Sequence, residues 1–195
     1  HVLLASSVSV DGTSGTTTLV EMENVIGTTA DDFITGTTGD NRIAGGLGND
    51  LLDGGKGADF LDGGSGLDTV SYSASNAAVA VVLDDADLHT LSVASSGDAA
   101  GDVLIAIENL SGSNFDDTLT GNSGANLIQG AGGNDRIFGL GGADRLLGGA
   151  GDDLLNGGEG ADVIDGGDGT DGATFADNAQ SVNVVLGEPG TEGQA

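Results

Sequence analysis

The chain has 195 residues, of which 38 are glycine and only 3% are aromatic, so it cannot assemble the large side-chain core of an ordinary globular domain. Its formal net charge of −27 excludes unaided binding to nucleic acid or to an anionic membrane, since both require a basic surface. Because Cys is absent and only two His occur, a metal site would have to use oxygen ligands, which favours a hard cation.

The N-terminal residues 1–19 contain no repeat, and we expect them to be the remnant of a preceding segment. The chain opens with His1 and has no basic, apolar leader, so we expect it to be an excised part of a longer protein. The longest uninterrupted apolar run, 77–83, is far shorter than the roughly 20 residues of a membrane helix, which predicts a soluble chain without a membrane span.

A repeat of nine residues begins at Gly27 and continues to residue 71, within a predicted first module of residues 20–83. In register its five copies read GTTADDFIT, GTTGDNRIA, GGLGNDLLD, GGKGADFLD and GGSGLDTVS. Residues 84–105 interrupt the pattern and are predicted to be a linker. Asp102 in this linker is a candidate for a degenerate turn that enters the next block.

A second block of seven nonapeptides covers 112–174, within a predicted second module of residues 106–186. Its copies read GSNFDDTLT, GNSGANLIQ, GAGGNDRIF, GLGGADRLL, GGAGDDLLN, GGEGADVID and GGDGTDGAT. Residues 187–195 are predicted to be a C-terminal tail.

The twelve copies keep the same residue types in phase. Position 1 is always Gly, position 4 is Gly in ten copies, position 6 is Asp in ten and Asn in two, and position 8 is always aliphatic. An acidic linker without structure would not hold Asp and Leu in phase.

The two blocks are also copies of each other on a larger scale. The motif of Glu23, Asn24 and Val25 recurs at Glu108, a displacement of 85, whereas the sequence after each block recurs with a displacement of 103. The difference of 18 equals two nonapeptides, which indicates that 18 residues form one structural unit.

Each nonapeptide divides into a glycine-rich turn at positions 1–6 and a short strand at positions 7–9 with one inward-facing apolar residue. Two such units make one coil of 18 residues. The sequence therefore predicts an all-β fold with two parallel β-rolls, each closing two parallel sheets over a thin aliphatic core.

Stacked coils bring position 6 of one repeat beside position 6 of the second repeat after it. The spacing predicts eight such pairs: Asp32/Asp50, Asn41/Asp59, Asp50/Asp68, Asp117/Asp135, Asn126/Asp144, Asp135/Asp153, Asp144/Asp162 and Asp153/Asp171. Like charges at this spacing repel, and a cation between them reverses the sign of the interaction. Calcium suits these sites better than magnesium, because it accepts six to eight oxygens, including carbonyls, in flexible geometry.

These repeats, most closely GGLGNDLLD, GGKGADFLD and GGAGDDLLN, resemble the calcium-binding RTX (hemolysin-type) repeat family of secreted bacterial proteins. The resemblance implies a right-handed parallel β-roll with calcium bound between stacked turns, about four to eight ions in all. It implies that the position-6 side chains are metal ligands, namely Asp50, Asp59, Asp68, Asp135, Asp144, Asp153, Asp162 and Asp171, with weaker or altered binding at Asp32, Asp117, Asn41 and Asn126. It also implies carbonyl ligands from Gly46, Gly48, Gly55, Gly57, Gly64, Gly66, Gly149, Gly151, Gly158, Gly160, Gly167 and Gly169.

The function that follows is calcium-dependent folding and stability of a secreted, extracellular protein, by the type I secretion route. We expect no catalytic residue, since the sequence contains no nucleophile with a His base. A position-5 group comprising Asp31, Asp40, Asp116 and Asp152 could supply auxiliary ligands. Two alternatives remain open: a polysaccharide- or surface-binding module using a sheet face with Arg136, Phe138, Arg145 and Leu147, and a structural spacer in an adhesin or surface layer.

Overall fold

The computed structural model describes residues 23–83 and 96–175 and the backbone of Val93–Ala94. The strands are, in chain order, β1 (Asn24–Ile26), β2 (Phe33–Thr37), β3 (Arg42–Leu47), β4 (Leu51–Gly55), β5 (Phe60–Ser65), β6 (Thr69–Ser71), β7 (Ala80–Val82), β8 (Val93–Ala94), β9 (Val103–Ile105), β10 (Asn109–Ser111), β11 (Thr118–Thr120), β12 (Leu127–Gly132), β13 (Arg136–Phe138), β14 (Gly141–Gly142), β15 (Arg145–Ala150), β16 (Leu154–Asn156), β17 (Glu159–Gly160), β18 (Val163–Asp168) and β19 (Gly172–Ala173). The segment 1–19 and the tail 187–195 lie outside the described residues.

The strands stack into three sheets. Sheet A has the order β1-β3-β5-β9, sheet B the order β2-β4-β6-β10-β12-β15-β18, and sheet C the order β8-β7-β11-β13-β16-β19. A short ladder joins β14 to β17. Every described pairing is parallel except that of β7 with β8.

Within each block the paired residues are 18 apart in the chain, for example Phe33 with Leu51 and Arg145 with Val163. The chain therefore forms a parallel β-solenoid of about eight coils, which confirms the predicted all-β architecture and its 18-residue unit. Alternate repeats contribute strands to opposite sheets, because each glycine-rich turn reverses the direction of the chain.

The core is a single line of aliphatic side chains from position 8. Leu52, Leu61, Leu119, Ile128 and Leu146 are fully buried, each with 0% exposure. Near the ends of the solenoid Ile34 and Ile164 are only partly buried, because each has a neighbouring coil on one side only among the described residues. Such a narrow core leaves much of the cohesion to the backbone and the turns.

The two blocks share one sheet. Thr69 of β6 pairs with Asn109 of β10, so sheet B continues from the first block into the second. These partners are 40 residues apart instead of 18, and the 22 additional residues explain why the displacement of 85 is not a multiple of nine. The division into two modules stays a prediction, but residues 103–105 of the predicted linker form β9 and extend sheet A.

The junction between the blocks has a wider apolar interior than an ordinary coil. Tyr72, Val79, Val81, Leu104 and Ile107 are buried there and join the line of position-8 residues. In the described ranges the only helical element is the 3₁₀ turn Gly97–Ala99, and it could not cross a membrane.

Candidate metal centre

The position-6 side chains lie at the ends of the turns, directly before the strands that follow them. The structure brings together all eight pairs predicted from the spacing. In each pair the backbone N–H of the first residue donates to the Oδ1 of the second, at 2.7–3.0 Å: Asp32/Asp50, Asn41/Asp59, Asp50/Asp68, Asp117/Asp135, Asn126/Asp144, Asp135/Asp153, Asp144/Asp162 and Asp153/Asp171. One carboxylate oxygen therefore links each turn to the turn 18 residues earlier.

The second carboxylate oxygen is different in most of these residues. Six aspartates bury their Oδ2 without a hydrogen-bond partner: Asp50, Asp59, Asp68, Asp135, Asp144 and Asp153. None of the six side chains is more than 3% exposed. Because a buried charge is costly unless it is paired, these atoms mark where the turns lack a positive partner.

Position 1 explains why these oxygens are held inside the turn. The Oδ2 of Asp50 lies against the Cα of Gly45, and a Cβ built on Gly45 would overlap it. The same relation holds between Asp135 and Gly130, and between Asp153 and Gly148. Any side chain at position 1 would therefore displace the carboxylate, which accounts for glycine in all twelve copies.

Eight turns share a backbone conformation that we call the open turn. They begin at residues 45, 54, 63, 130, 139, 148, 157 and 166. In each, positions 2 and 4 have a positive φ, between 76° and 151°. This left-handed region suits glycine because a Cβ meets the backbone there.

Successive open turns stack very closely. A Cβ on Gly64 would overlap the carbonyl oxygen of Gly46, and a Cβ on Gly66 would overlap that of Gly48. The carbonyl oxygens of positions 2 and 4 thus face the next turn. Each gap between two open turns contains these oxygens beside the unpartnered Oδ2.

Four other turns have a second conformation, which we call the closed turn. They begin at residues 27, 36, 112 and 121, and neither position 2 nor position 4 has a positive φ. Instead, the backbone N–H of position 2 donates to the position-6 side chain of the same turn. The donor and acceptor pairs are Thr28 to Asp32 Oδ2 at 2.5 Å, Thr37 to Asn41 Oδ1 at 2.6 Å, Ser113 to Asp117 Oδ2 at 2.6 Å and Asn122 to Asn126 Oδ1 at 2.9 Å.

Comparison with known protein families gives the same assignment as this geometry. The model of the RTX calcium-binding nonapeptide repeat matches four times, at residues 23–52, 35–70, 111–146 and 138–173, and together these matches cover more than half of the chain. The chain belongs to this family. It is a calcium-binding β-roll module, and RTX repeats are typical of secreted bacterial proteins. No match was found among curated proteins.

Two RTX turns were missed as carbonyl donors because position 2 is not glycine. Ala131 has a φ of 80° and Leu140 a φ of 76°, so both turns are open despite the substitution. A Cβ on Gly149 would overlap the carbonyl oxygen of Ala131, as between two consensus turns. Gly133 and Gly142 at position 4 also have a positive φ, and this position was the signal that could have identified both turns.

The junction between the RTX blocks supplies two further acidic side chains to the turn edges. Asp59 donates its backbone N–H to Asp102 Oδ1 at 2.8 Å, and Asp68 donates to Glu108 Oε2 at 2.9 Å. Asp102, which we considered as a degenerate turn, therefore occupies the position of a position-6 aspartate. Glu108 was missed, although the repetition of Glu23, Asn24 and Val25 at this point was the available signal.

Asp102 differs from the open turns because its second oxygen has a partner. The hydroxyl of Tyr72 donates to Asp102 Oδ2 at 3.0 Å, and both side chains are buried. Tyr72 therefore satisfies the oxygen that lacks a partner in Asp59, the adjacent turn on this edge.

Burial changes the acidity of the turn carboxylates. Loss of hydration raises the pKa of Asp59 and of Asp135 to about 7, and the neighbouring carboxylates add to the shift. Burial also raises the pKa of Asp50, Asp68 and Asp153, although the N–H of the preceding turn opposes the shift. The ionised form of these groups is thus unfavourable unless a positive charge lies nearby.

The open RTX turns fit a divalent cation of the hard class. They combine a buried anionic oxygen without a partner, backbone carbonyls directed into the same gap, and a neighbouring carboxylate one coil away. In the described ranges no three acidic or histidine side chains converge on one point. Each turn contributes one carboxylate, so most oxygens available to an ion in these gaps belong to the backbone.

The position-5 side chains have another partner. Asp31 Oδ1 accepts the N–H of Asn49 at 2.8 Å, and Asp116 Oδ1 accepts that of Asn134 at 2.8 Å. The same contact links Asp40 to Ala58 and Asp152 to Thr170, each at 2.9 Å. These exposed side chains form an outer ladder between turns, and an auxiliary role in metal binding stays a prediction.

The four residues suggested as one binding face do not share a face. Arg136 and Phe138 belong to β13 of sheet C, whereas Arg145 and Leu147 belong to β15 of sheet B. Consecutive repeats contribute to opposite sheets, so residues nine positions apart lie on opposite sides of the solenoid. The expectation of one cationic and apolar face built from these four residues was wrong.

Proposed function

We propose that this RTX module folds when it binds calcium and that it stabilises a secreted bacterial protein outside the cell. The observation that carries the proposal is the set of six buried Oδ2 atoms without a partner. A metal-free solenoid must bury these charges on a chain whose net charge is −27, with only a narrow aliphatic core to compensate.

When bound, calcium supplies positive charge and accepts six to eight oxygen ligands in flexible geometry. The proposed side-chain ligands are those of the sequence analysis, at positions 50, 59, 68, 135, 144, 153, 162 and 171. The proposed carbonyl ligands are those at positions 2 and 4 of the open turns, to which we add Ala131, Gly133, Leu140 and Gly142.

The residues act through linkage. A cation that binds only the folded solenoid stabilises it by RT ln(1 + [L]/Kd) at each site. The position-1 glycines admit the carboxylates, and the Oδ1 hydrogen bonds hold successive turns in register, so the candidate ligands are assembled only in the folded chain. Where free calcium is scarce, as in the cytosol, charge repulsion favours the unfolded chain that we propose passes through type I secretion.

Circular dichroism in a chelator and in calcium, with magnesium as the control, tests this proposal. We expect an unfolded spectrum in the chelator, a β-sheet spectrum in calcium and little response to magnesium. A β-sheet spectrum that persists after exhaustive chelation would overturn calcium-dependent folding.

A second candidate function, that of a structural spacer, is favoured by the continuity of sheet B. Its seven strands extend through both blocks and span about 29 Å at the usual strand separation. A calcium-stiffened rod of this kind would hold flanking domains apart. Small-angle scattering in calcium should give an elongated particle, whereas two independently moving rolls would contradict a spacer.

A further inference from the structure

The open and closed turns differ at the atom that would meet a cation. In the open turn that ends at Asp135, the Oδ2 is buried and has no hydrogen-bond partner. In the closed turn that ends at Asp117, the same oxygen accepts the backbone N–H of Ser113 at 2.6 Å. Asp117 and Asp135 are adjacent on one edge and are both 1% exposed, so burial does not separate them.

Both oxygens of Asp117 already have donors. Besides the contact at Oδ2, Oδ1 accepts the Ser113 hydroxyl at 2.9 Å and the backbone N–H of Val79 at 2.7 Å. Asp32 has the same arrangement at the start of the first block, where Thr28 donates its N–H to Oδ2 and its hydroxyl, at 3.3 Å, to Oδ1. The residue at position 2 thus supplies two hydrogen-bond donors in place of a cation.

The other two closed turns have a neutral side chain at position 6. The Asn41 amide nitrogen donates to the Thr37 hydroxyl at 3.2 Å, and the Asn126 amide nitrogen donates to the Glu108 carbonyl at 2.6 Å. An amide nitrogen cannot bind a cation, and the amide oxygen of each Asn accepts the N–H of position 2.

The closed backbone also changes which carbonyl oxygens are available. Positions 2 and 4 of the closed turns do not enter the left-handed region that characterises every open turn. A gap with a closed turn on one side therefore lacks the paired set of carbonyl oxygens found between two open turns.

We propose that the closed turns bind no calcium and that the residue at position 2 determines this, so that ions lie only between two stacked open turns. Four gaps meet this condition. They lie between the turns 45–50 and 63–68, 130–135 and 148–153, 139–144 and 157–162, and 148–153 and 166–171. This inference rests on the proposed calcium binding and adds the number of ions and their boundary within each block.

The closed turns then have a distinct task at the start of each block. They form the first two coil edges of a block with hydrogen bonds alone, and the calcium-binding turns stack on them. A block would thus start from a metal-independent edge, which sets the register for the ions that follow.

The test converts one closed turn into an open one. In the Ser113→Gly/Phe115→Gly double variant, positions 2 and 4 of turn 112–117 become glycine, and the turn faces the open turn 130–135. Equilibrium dialysis at saturating calcium with metal analysis should count four ions in the unaltered chain and five in this variant. The Asn114→Gly variant changes an exposed position of the same turn and should keep four.

A second variant pair keeps the proposal testable if the double variant does not fold. Asp117→Asn should leave the ion count unchanged, whereas Asp135→Asn should lower it by one. A lower count in Asp117→Asn, or an unchanged count in a folded double variant, would overturn the inference. Failure of the proposed function would look different, because the unaltered chain would then bind no calcium.

Discussion

Asp50 donates its backbone N–H to Asp68 Oδ1 at 2.7 Å, while the Oδ2 of Asp68, which is 0% exposed, has no partner. The two oxygens of one carboxylate therefore have separate roles. One fixes the register between turns through a hydrogen bond, and the other remains an anionic site inside the edge of the solenoid. The following expectations arise from this division.

Removing one turn carboxylate should weaken the fold only when calcium is present. Asp153 borders two gaps between open turns, so Asp153→Asn should remove calcium sites, each of which contributes about 2.7 kcal/mol at a calcium concentration 100-fold above Kd. In a chelator the same variant should be at least as stable as the parent, because a buried charge is lost. Thermal unfolding in both conditions measures this.

Asp165→Asn is the matched control for Asp153→Asn. Asp165 is only partly buried and lies at position 9 on the outer face of sheet B. Its replacement should change the free energy of unfolding by no more than about 0.5 kcal/mol in either condition. An equal effect of both variants would show that the loss of calcium stabilisation is not specific to the turns.

The metal-free chain should become more ordered as the pH falls. Burial raises the folded-state pKa of Asp59 and Asp135 from 3.8 to about 7, so between these values the folded chain binds more protons than the unfolded chain. The free energy of unfolding therefore increases as the pH is lowered from 8 to 5, and this gain is lost as the pH rises through about 7.

Circular dichroism of the chelated protein at pH 5 and pH 8 measures this effect. Protons compete with calcium for the same oxygens, so the calcium midpoint for folding should also shift to higher concentration at pH 5. In the Asp59→Asn/Asp135→Asn variant the response to pH should be smaller. A metal-free chain that loses structure on acidification would contradict the assigned sign.

Glycine at position 131 or 140 should stabilise the solenoid. Ala131 and Leu140 adopt φ values of 80° and 76°, which cost a residue with a Cβ roughly 1–2 kcal/mol. Ala131→Gly should remove most of this cost, and the unfolding midpoint in calcium should rise. Leu140→Gly should behave similarly, since half of the Leu140 side chain is exposed.

The control is Ala161→Gly at an exposed position without positive φ. There the added freedom of the unfolded chain should destabilise the protein by about 0.4–1 kcal/mol. If all three glycine variants shifted the midpoint in the same direction, strain at positions 131 and 140 would not be the cause.

Removing the Tyr72 hydroxyl should weaken the junction between the blocks without changing the ion count. Tyr72→Phe leaves Asp102 Oδ2 buried without its donor, which should cost about 1–3 kcal/mol both with and without calcium. Urea unfolding measures the cost, and a double-mutant cycle with Asp102→Asn tests whether it arises from this contact. Additive effects of the two substitutions would show that the hydroxyl and the carboxylate are not coupled.

Much of this architecture could be predicted because the repeat is covalent. A nine-residue period with a Gly-rich turn places position 6 beside the position 6 located 18 residues later, whatever the surroundings. All eight predicted pairs are therefore adjacent, and Leu52, Ile128 and Leu146 lie in the core as the period requires. Charge and composition pointed equally directly to a hard cation.

The conformation of individual turns could not be predicted from the repeat alone. Ala131 breaks the consensus yet has an open turn, whereas Gly39 matches it at position 4 and belongs to a closed turn. The choice depends on whether the position-2 N–H folds back onto the position-6 side chain or leaves it free, which involves several residues of two stacked coils. Glu108 entered the turn edge for a similar reason, through a three-residue turn without the repeat pattern.

The amino-acid sequence by itself determined the coil length, the residues that stack and the class of ion they suit, because each follows from local spacing and side-chain chemistry. Only the tertiary structure decided that sheet B joins both blocks, that Arg136 and Arg145 lie on opposite sheets, and which carboxylate oxygens are left without a donor. Those properties depend on contacts between coils that are distant in the chain, and a hydrogen bond forms or fails there according to packing geometry rather than residue type.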